Sequence, residues 1–470
     1  MFDKIVIIIY FALMLGAGYV GSRRNRNSDD FTVAGRKLGP SMYTSAMSTV
    51  VLGGAATVGG VSLGYQHGVS GMALVLMLSL GIAMIGVLFA GTVHRNGVRT
   101  VPEALERAFG RTSGLLGSVI VIFYTLFVGV AQIIAIGTVL TVVFDMPRAL
   151  AAAVGWAVIT LYSVAGGMWS ITMTDVIQFL IKTVGIFALL LPMAIAEAGG
   201  LGSLQEKLPT TYFDPVGIGV STIAAYFLLF FFGFLIDQGN WQRLATARSE
   251  RVARWGALVS GVYCALYGLA GALIGTAAKA LLPTLPTADD AYASVASLVL
   301  PAGVFGVVIA AALAASMSTA SGLLIGSSTV LTGDVLRPKY GERMNSLRAN
   351  RFALLAVCVA ALAIALAMDS VVGAVTVATD LLAAGLFIPI TFGLLWRRST
   401  AFAAVASIVA GSVVCIVFMI LDGLYANEPV MFGMLASLVA FAVASLIRKK
   451  EPADSESTST DVPVVQTRKS

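Results

Sequence analysis

The sequence has 470 residues, of which 58% are hydrophobic and only 11% are charged. Soluble domains contain about 45–50% apolar and about 25% charged residues, so water is excluded as the solvent for most of this surface. Apolar stretches of about 20 residues recur along the chain, and each is long enough to cross a hydrocarbon layer of about 30 Å. The composition therefore predicts an all-α integral membrane protein surrounded by a lipid bilayer.

The apolar stretches predict about thirteen membrane-spanning helices in one domain that covers residues 1–450. From the N-terminus, the predicted spans lie approximately at residues 4–22, 41–64, 69–93, 113–144, 149–167, 168–196, 219–241, 255–281, 303–332, 351–368, 371–396, 401–421 and 430–448. The segment 451–470 is rich in Ser, Thr, Asp and Pro and buries too little apolar surface to offset its ordering entropy, so we expect a disordered cytoplasmic tail.

The basic residues are distributed unevenly between the two sides of these spans. Of the 30 Lys and Arg residues, 25 fall in segments on one side, four fall on the other, and Lys182 lies within a span. Basic residues concentrate in cytoplasmic loops, so we predict a multi-pass cell-membrane protein with its N-terminus outside and its C-terminus in the cytoplasm. The same distribution accounts for the net charge of +6 without a nucleic-acid partner, and we expect none.

Two predicted spans, the second and the seventh, are interrupted near their middle. Residues 48–60 include four glycines within eight positions, and residues 232–240 combine glycine with polar side chains. Broken spans five apart are typical of secondary transporters, and they predict two inverted repeats of five spans, at about 41–196 and 219–396. One extra N-terminal and two extra C-terminal helices flank this core. Close packing of unbroken helices is the alternative explanation for either glycine segment alone.

Oxygen-bearing residues of three predicted helices lie at one depth in the membrane. Counting about 1.5 Å per residue from the span ends places Asp175, the pair Ser318 and Thr319, and the residues Thr49 and Leu52 at similar heights in the inner half of the layer. Carboxylate, hydroxyl and freed carbonyl oxygens are the ligands that a small hard cation requires. The alternative is that the two hydroxyls bond the carbonyls of their own helix.

Two further ionisable residues, Lys182 and Asp380, lie near the predicted midplane, above that level. Ionisable residues within spans are costly and indicate function by default. The pair has three interpretations. The two residues form a structural ion pair, or they contact the substrate, or Lys182 carries a proton in place of an ion.

Ordered motifs make the chain similar to the sodium:solute symporter family. They are Asp-Phe-Thr-Val-Ala-Gly-Arg at 30–36, Thr-Val-Pro-Glu-Ala-Leu at 100–105, Gly-Gly-Met-Trp at 166–169 with Thr-Asp-Val-Ile-Gln at 174–178, Asp-Gln at 237–238 with Gln-Arg at 242–243, Ala-Ala-Ala-Leu-Ala-Ala-Ser-Met-Ser-Thr at 310–319 and Leu-Leu-Trp-Arg-Arg at 394–398. No single motif is proof, but their common order over residues 30–400 is specific.

The resemblance implies a LeuT-type fold and a sodium ion as the coupling ion. It implies that the main ion is held by the carbonyls of Thr49, Leu52 and Ala315 and by the hydroxyls of Ser318 and Thr319. For a second ion, Asp175 and Ser321 match the family pattern, whereas Gly322 stands where another hydroxyl is expected and argues against that ion.

The implied substrate positions match the sugar carriers of the family poorly. The polar residues of those carriers fall at Val51, Ala55, Ala56 and Thr376 in this chain, which argues against hexose recognition. Their aromatic gate falls at Gly233, with Phe230 and Phe234 nearby. Lys182 and Asp380 depart from the sugar carriers as well, and they favour a charged or zwitterionic substrate.

These observations predict sodium-coupled symport of a small polar organic solute, such as an amino acid or a carboxylate, by alternating access. We expect a monomer to be sufficient for transport. The alternatives are a proton-coupled or ion-independent transporter that uses Lys182, a channel, and a receptor-like sensor module. An enzyme is not expected, because the chain lacks a constellation of nucleophile, base and orienting group.

Overall fold

The structure is a computed structural model that describes residues 2–368, 371–396, 399–423, 426 and 428–447. Within these ranges the chain is helical, and its one β-type contact is an isolated bridge between Leu38 and Ala247. The predicted tail at 451–470, the pair Arg397 and Arg398, and the basic residues after 447 lie outside the described residues.

The helices vary in length from one turn to ten. They are α1 (Phe2–Ser22), α2 (Ser28–Val33), α3 (Pro40–Val51), α4 (Gly54–His67), α5 (Ala73–Asn96), α6 (Val101–Phe109), α7 (Arg111–Phe144), α8 (Arg148–Thr183), α9 (Leu191–Glu197), α10 (Gly200–Lys207), α11 (Val220–Tyr226), α12 (Phe232–Leu235), α13 (Gln238–Thr246), α14 (Glu250–Leu281), α15 (Ala291–Val299), α16 (Val304–Val330), α17 (Arg337–Tyr340), α18 (Leu347–Ala367), α19 (Val371–Leu395), α20 (Ala401–Leu421) and α21 (Glu428–Ile447). Three π-helical segments, Val184–Leu190, Phe227–Phe231 and Leu331–Leu336, continue α8, α11 and α16.

Ten helical runs in the described residues are long and apolar enough to cross a membrane, and a bent pair formed by Val220–Leu235 and Gln238–Thr246 makes an eleventh. Three of the ten runs contain 42 to 50 residues, which is about twice the length needed for one span. In the longest run, Gly167 has the non-helical backbone angles φ 53° and ψ −140°, so the chain turns at the predicted boundary between the fifth and sixth spans. The multi-pass architecture is therefore confirmed, while the number thirteen stays a prediction.

Helix α16 forms the centre of the bundle. In its run, 94% of the most apolar window is buried, against 28% in α1. A helix that is apolar around its whole circumference and buried must have protein on every side. The polar residues of α16 therefore face neighbouring helices and not lipid.

Candidate functional site

The predicted break in the second span lies between α3 and α4. Helix α3 ends at Val51, Leu52 has φ −82° and ψ 62°, and α4 begins after Gly53 without a side-chain cap. The turn frees backbone carbonyls at the end of α3, because the last turn of a helix has no intrahelical donors for them. Gly53 is required here, since a Cβ at this position would lie 2.7 Å from the hydroxyl oxygen of Thr319.

The two predicted hydroxyls of α16 point at this break. The Ser318 hydroxyl is 3.1 Å from the carbonyl oxygen of Thr49 and 2.9 Å from that of Ala315. The Thr319 hydroxyl donates to the carbonyl oxygen of Val50 at 2.8 Å. The structure thus brings together the two helices that the depth argument placed at one height, although Thr319 bonds Val50.

A third helix reaches the same oxygens through Lys182. This residue lies on α8, its side chain is 1% exposed, and its Nζ atom is 2.9 Å from the carbonyl oxygen of Thr49. The same nitrogen is 3.2 Å from the carbonyl oxygen of Leu52 and 3.3 Å from the Ser318 hydroxyl. Three of the five predicted sodium ligands therefore contact an ammonium group of the chain itself.

Electrostatic repulsion decides whether sodium and this ammonium share the ligands. Two unit charges about 4 Å apart repel each other by about 4 kcal/mol at an effective dielectric constant of about 20. The oxygens fit sodium in type, being hard carbonyl and hydroxyl oxygens. They do not fit sodium and Lys182 at the same time.

The carboxylate predicted for a second ion is already paired with a cation of the chain. Asp175 is fully buried and lies 2.8 Å from the guanidinium of Arg243, which is 1% exposed. A Cβ at Gly322 would come within 2.6 Å of Arg243 Nη1, so the missing hydroxyl at 322 leaves room for the guanidinium. Ser321 donates to the carbonyl oxygen of Ser318. This arrangement provides a local physical reason why Gly322 replaces a hydroxyl.

The second predicted break, between α12 and α13, is closed by residues of its own segment and by Tyr124 of α7. Asp237 caps α13 by accepting from the backbone N–H of Asn240 at 2.8 Å, and the Tyr124 hydroxyl donates to its other oxygen at 2.9 Å. The indole N–H of Trp241 donates to the carbonyl oxygen of Leu235 at 2.8 Å. The two breaks are neighbours, because a Cβ at Gly239 would lie 3.7 Å from Val50.

The positions aligned with sugar recognition are mostly apolar in this chain. Val51 and Ala56 are buried, and Ala55 at the start of α4 is exposed. Thr376 is half-buried on α19. Of these four side chains, only that of Thr376 carries a polar group.

The position aligned with the aromatic gate adjoins open space. Gly233 is buried, yet a Cβ added there meets no atom within 4 Å. Phe230 and Phe234 are half-buried beside it, and the backbone of Phe230 and the Cβ of Phe234 approach Gly81 of α5. The open space beside Gly233 is a candidate volume for part of a solute.

Lys182 and Asp380 are not brought together as an ion pair. Lys182 bonds the α3–α4 break as described above, and among the described residues Asp380 has no hydrogen-bond partner for Oδ2. Asp380 is 3% exposed, and it lies close enough to Cys415 of α20 for its charge to act on that thiol. The ion-pair interpretation of these two residues is therefore wrong.

Sequence reasoning missed two polar residues at the N-terminus of α4. A Cβ at Gly54 would lie 2.9 Å from the Ser316 hydroxyl and 3.5 Å from Gln132 Oε1. Gln132 is 7% exposed, and its Oε1 has no hydrogen-bond partner in the described part of the chain. A single amide within the 34 residues of α7 was the available signal, because polar residues inside spans are rare unless they serve a function.

A large cavity lies at the end of the bundle that is predicted to be cytoplasmic, and its lining does not include these residues. It has a volume of about 550 Å³ and is lined by residues that include Thr100, Glu103 and Asp334. The Thr100 hydroxyl donates to Asp334 at 2.7 Å and accepts from the N–H of Glu103. This cavity is a polar vestibule and not the cation site, since Thr49, Ser318 and Lys182 do not line it.

A bundle with two adjacent broken spans and a buried set of candidate cation ligands between its helices is typical of a secondary membrane transporter. The model of the sodium:solute symporter family matches residues 31–411, and the chain belongs to this family. Both the family and the transporter class predicted from the sequence are thereby confirmed, and sodium is the ion on which the family depends.

Relatives and solved structures support this assignment over nearly the whole chain. The chain is 25% identical to the sodium/glucose cotransporter of Vibrio parahaemolyticus, over 94% of this chain and 90% of the relative. It is also 25% identical to the sodium/proline symporter of Escherichia coli (strain K12), over 95% of this chain and 93% of that relative. Its structure is similar to a substrate-bound, outward-open Na⁺-coupled sialic acid symporter, with a TM-score of 0.83, 17% identity, and coverage of 96% of this chain and 99% of that one. This likeness confirms the LeuT-type fold.

Proposed function

We propose that this protein takes up a small polar organic solute together with sodium by alternating access. The observation that carries the proposal is the convergence of the freed carbonyls of Thr49 and Leu52 with the hydroxyl of Ser318. Such oxygens replace the hydration shell of a small cation. A cation bound there links the α3–α4 break to α16, so that its binding favours one arrangement of the two helices over the other.

The solute is expected at the N-terminus of α4, next to the cation site. Gly53 offers no side-chain cap, so the first N–H groups of α4 are free to bind an anionic group at the positive end of the helix dipole. The unpartnered oxygen of Gln132 and the hydroxyl of Ser316 supply further polar contacts. The N–H groups of α4 and the Ser316 hydroxyl favour a carboxylate on the solute, and the acceptor oxygen of Gln132 favours a donor such as the amine of an amino acid.

The names of the relatives are consistent with that preference without fixing it. The Escherichia coli relative is named for proline, which has a carboxylate, and the Vibrio relative is named for glucose, which has none. The apolar residues Val51, Ala55 and Ala56 at the positions aligned with sugar recognition support the first type of solute.

Coupling to sodium supplies the driving force. One sodium ion that moves down a potential of about 100 mV contributes about 2.3 kcal/mol. Ligands that bind only in one of two states shift the equilibrium by their difference in affinity. We therefore expect sodium to increase the affinity for the solute, and the solute to increase the affinity for sodium by the same factor.

A thermal-shift screen of the purified full-length protein tests the solute and the ion together. Amino acids, carboxylates, the corresponding amides, sugars and nucleobases are compared in sodium chloride and in potassium chloride. We expect a carboxylate-bearing compound to stabilise the protein only with sodium, and its amide to be much weaker. Stabilisation by a sugar alone would contradict the proposed solute class.

Uptake of the identified solute into proteoliposomes then tests the cation site. The double variant Ser318→Ala with Thr319→Ala is expected to lose sodium-stimulated uptake while it remains folded. Its matched control is Ser327→Ala with Ser328→Ala on the same helix, where the Ser328 hydroxyl bonds only the local carbonyl of Ile325. Normal sodium dependence in the first double variant would refute the site, and uptake by the wild type in sodium-free, pH-clamped vesicles would favour an ion-independent transporter.

A further inference from the structure

We infer that the ammonium group of Lys182 is a tethered competitor of sodium at the α3–α4 break. The side chain holds the cation ligands when the ion is absent, and it must leave them before sodium binds. This inference rests on the proposed function, because it concerns the same ligands.

The first argument is the completeness of the contacts that Lys182 makes. An ammonium group has three N–H donors, and Nζ has three oxygen acceptors, on Thr49, Leu52 and Ser318. In the described part of the chain, no carboxylate lies within ion-pair distance of Lys182. The lysine is therefore bound in the way a free cation is bound, by neutral oxygens.

The second argument is the charge of the surroundings. The titratable groups that face Lys182 are Asp175 on its own helix, Cys264 on α14 and Arg243 on α13. With Asp175, Arg243 and Lys182 ionised, this cluster carries a net charge of +1. Sodium bound beside the ammonium would increase the net charge of the cluster to +2, with no additional carboxylate to balance it. Exchange of the ammonium for sodium leaves the net charge at the ligands unchanged.

The third argument is that the chain fills the other predicted ion position in the same way. The guanidinium of Arg243 forms an ion pair with the carboxylate of Asp175, in the space left by the missing side chain of Gly322. The guanidinium also donates to the carbonyl oxygen of Ala46 on α3 at 3.1 Å. Side chains of the protein thus occupy both cation positions, and only the position of Lys182 lacks a carboxylate that would hold its occupant in place.

Binding of ²²Na⁺ to the purified full-length protein tests the competition directly. The wild type is compared with Lys182→Met, which removes the charge and keeps the length of the side chain. A second neutral variant, Lys182→Gln, retains donors for the freed carbonyls and covers the case in which the first does not fold. We expect the Kd for sodium to fall about tenfold or more in both variants, because repulsion from the ammonium is removed.

Three controls separate competition from a general effect of charge or stability. Lys207→Ala removes a positive charge outside the site and should leave the Kd unchanged. Lys182→Arg keeps the charge and should not bind sodium more tightly than the wild type. Ser318→Ala added to Lys182→Met should weaken the new binding, which shows that the ion uses the same ligand.

The outcomes distinguish this inference from the proposed function. A Kd that is unchanged or higher in folded Lys182→Met or Lys182→Gln overturns the inference, since a purely structural lysine would behave in this way. Sodium binding that appears only in the neutral variants supports the inference and contradicts sodium coupling at this site in the wild type. Binding that is insensitive to Ser318 in every variant contradicts both.

Discussion

The two broken spans differ in what satisfies the carbonyls that each break frees. At the α12–α13 break, Trp241 and Asn240 bond the carbonyls of Leu235 and Phe234, and Asp237 caps the next helix. At the α3–α4 break, the carbonyls of Thr49 and Leu52 receive N–H donors from Lys182 on α8, and the carbonyl of Thr49 also lies 3.1 Å from the Ser318 hydroxyl on α16. The first type of closure is local, whereas the second depends on another helix and is exchangeable in the competition inferred above.

This difference distinguishes a structural break from a functional one. At the α12–α13 break the freed carbonyls already have donors from the same segment, and Asn240 Oδ1 is the buried oxygen there that has no partner in the described residues. A break that depends on a distant side chain is able to exchange that side chain for an ion. The α3–α4 break is therefore the better candidate for the cation site, and α12–α13 serves to shape its surroundings.

The largest expected effect comes from removing the local hydrogen bonds that close the α12–α13 break. Asp237→Ala deletes a helix N-cap, worth about 1 kcal/mol, and leaves the buried hydroxyl of Tyr124 without its acceptor, which costs about 1–3 kcal/mol. We expect the free energy of unfolding to decrease by about 3 kcal/mol in total. Denaturant titration of the purified protein, followed by tryptophan fluorescence, measures the change.

A conservative variant and a surface variant serve as controls for the stability of Asp237→Ala. Asp237→Asn retains the capping oxygen and should lose less stability than the alanine variant. Asp422→Ala removes an exposed carboxylate beyond α20 and should change stability by less than about 0.5 kcal/mol. If Asp237→Ala instead abolished sodium binding with stability unchanged, the α12–α13 break would belong to the cation site.

The second test acts on the exchangeable break. Gly53→Ala places a Cβ 2.7 Å from the Thr319 hydroxyl, so either the hydroxyl or the backbone at Leu52 must move. We expect the affinity for sodium to fall about tenfold, equivalent to about 1.4 kcal/mol. Sodium-dependent thermal stabilisation or ²²Na⁺ binding measures it.

Gly59→Ala is the matched control on the same helix, because a Cβ at Gly59 meets no atom within 4 Å. Replacing glycine by alanine inside a helix is neutral or stabilising by up to about 1 kcal/mol. The control should therefore bind sodium like the wild type. Equal losses of sodium affinity in both variants would mean that the close approach of Gly53 to Thr319 does not determine sodium binding.

Much of this site was predictable from the sequence because depth in a membrane follows from position along a helix. Helical rise alone placed Thr49, Leu52, Ser318 and Thr319 at one height, and the structure brings these residues together. Depth was misleading for Lys182, whose Cα lies two turns above Asp175. Side chains on a helix lean toward its N-terminus, so the four-carbon stem of Lys182 returns the ammonium to the level of the cation ligands.

The direction in which a side chain points around its helix was much less predictable. Helices α7 and α19 are apolar around most of their circumference, so no polar stripe indicates the orientation of Gln132 or Asp380. The pairing of Asp175 with Arg243 was not predictable either, because the predicted seventh span ends at residue 241 and leaves Arg243 in the loop that follows. In the structure, α13 extends the broken span and buries that guanidinium.

The smallest expected effect is at Asp380, which extends the comparison to a polar residue outside both breaks. Asp380 is buried near Cys415, and Val377 of its own helix packs against Cys415 and Met419 of α20. Its Oδ2 has no partner in the described residues, so Asp380→Asn removes a negative charge without breaking a bond to that oxygen. We expect the KM for the solute to change less than about threefold and stability to change by less than about 0.5 kcal/mol. A loss of solute binding in this variant, with sodium binding intact, would place Asp380 at the solute and show that the solute site extends from α4 to α19.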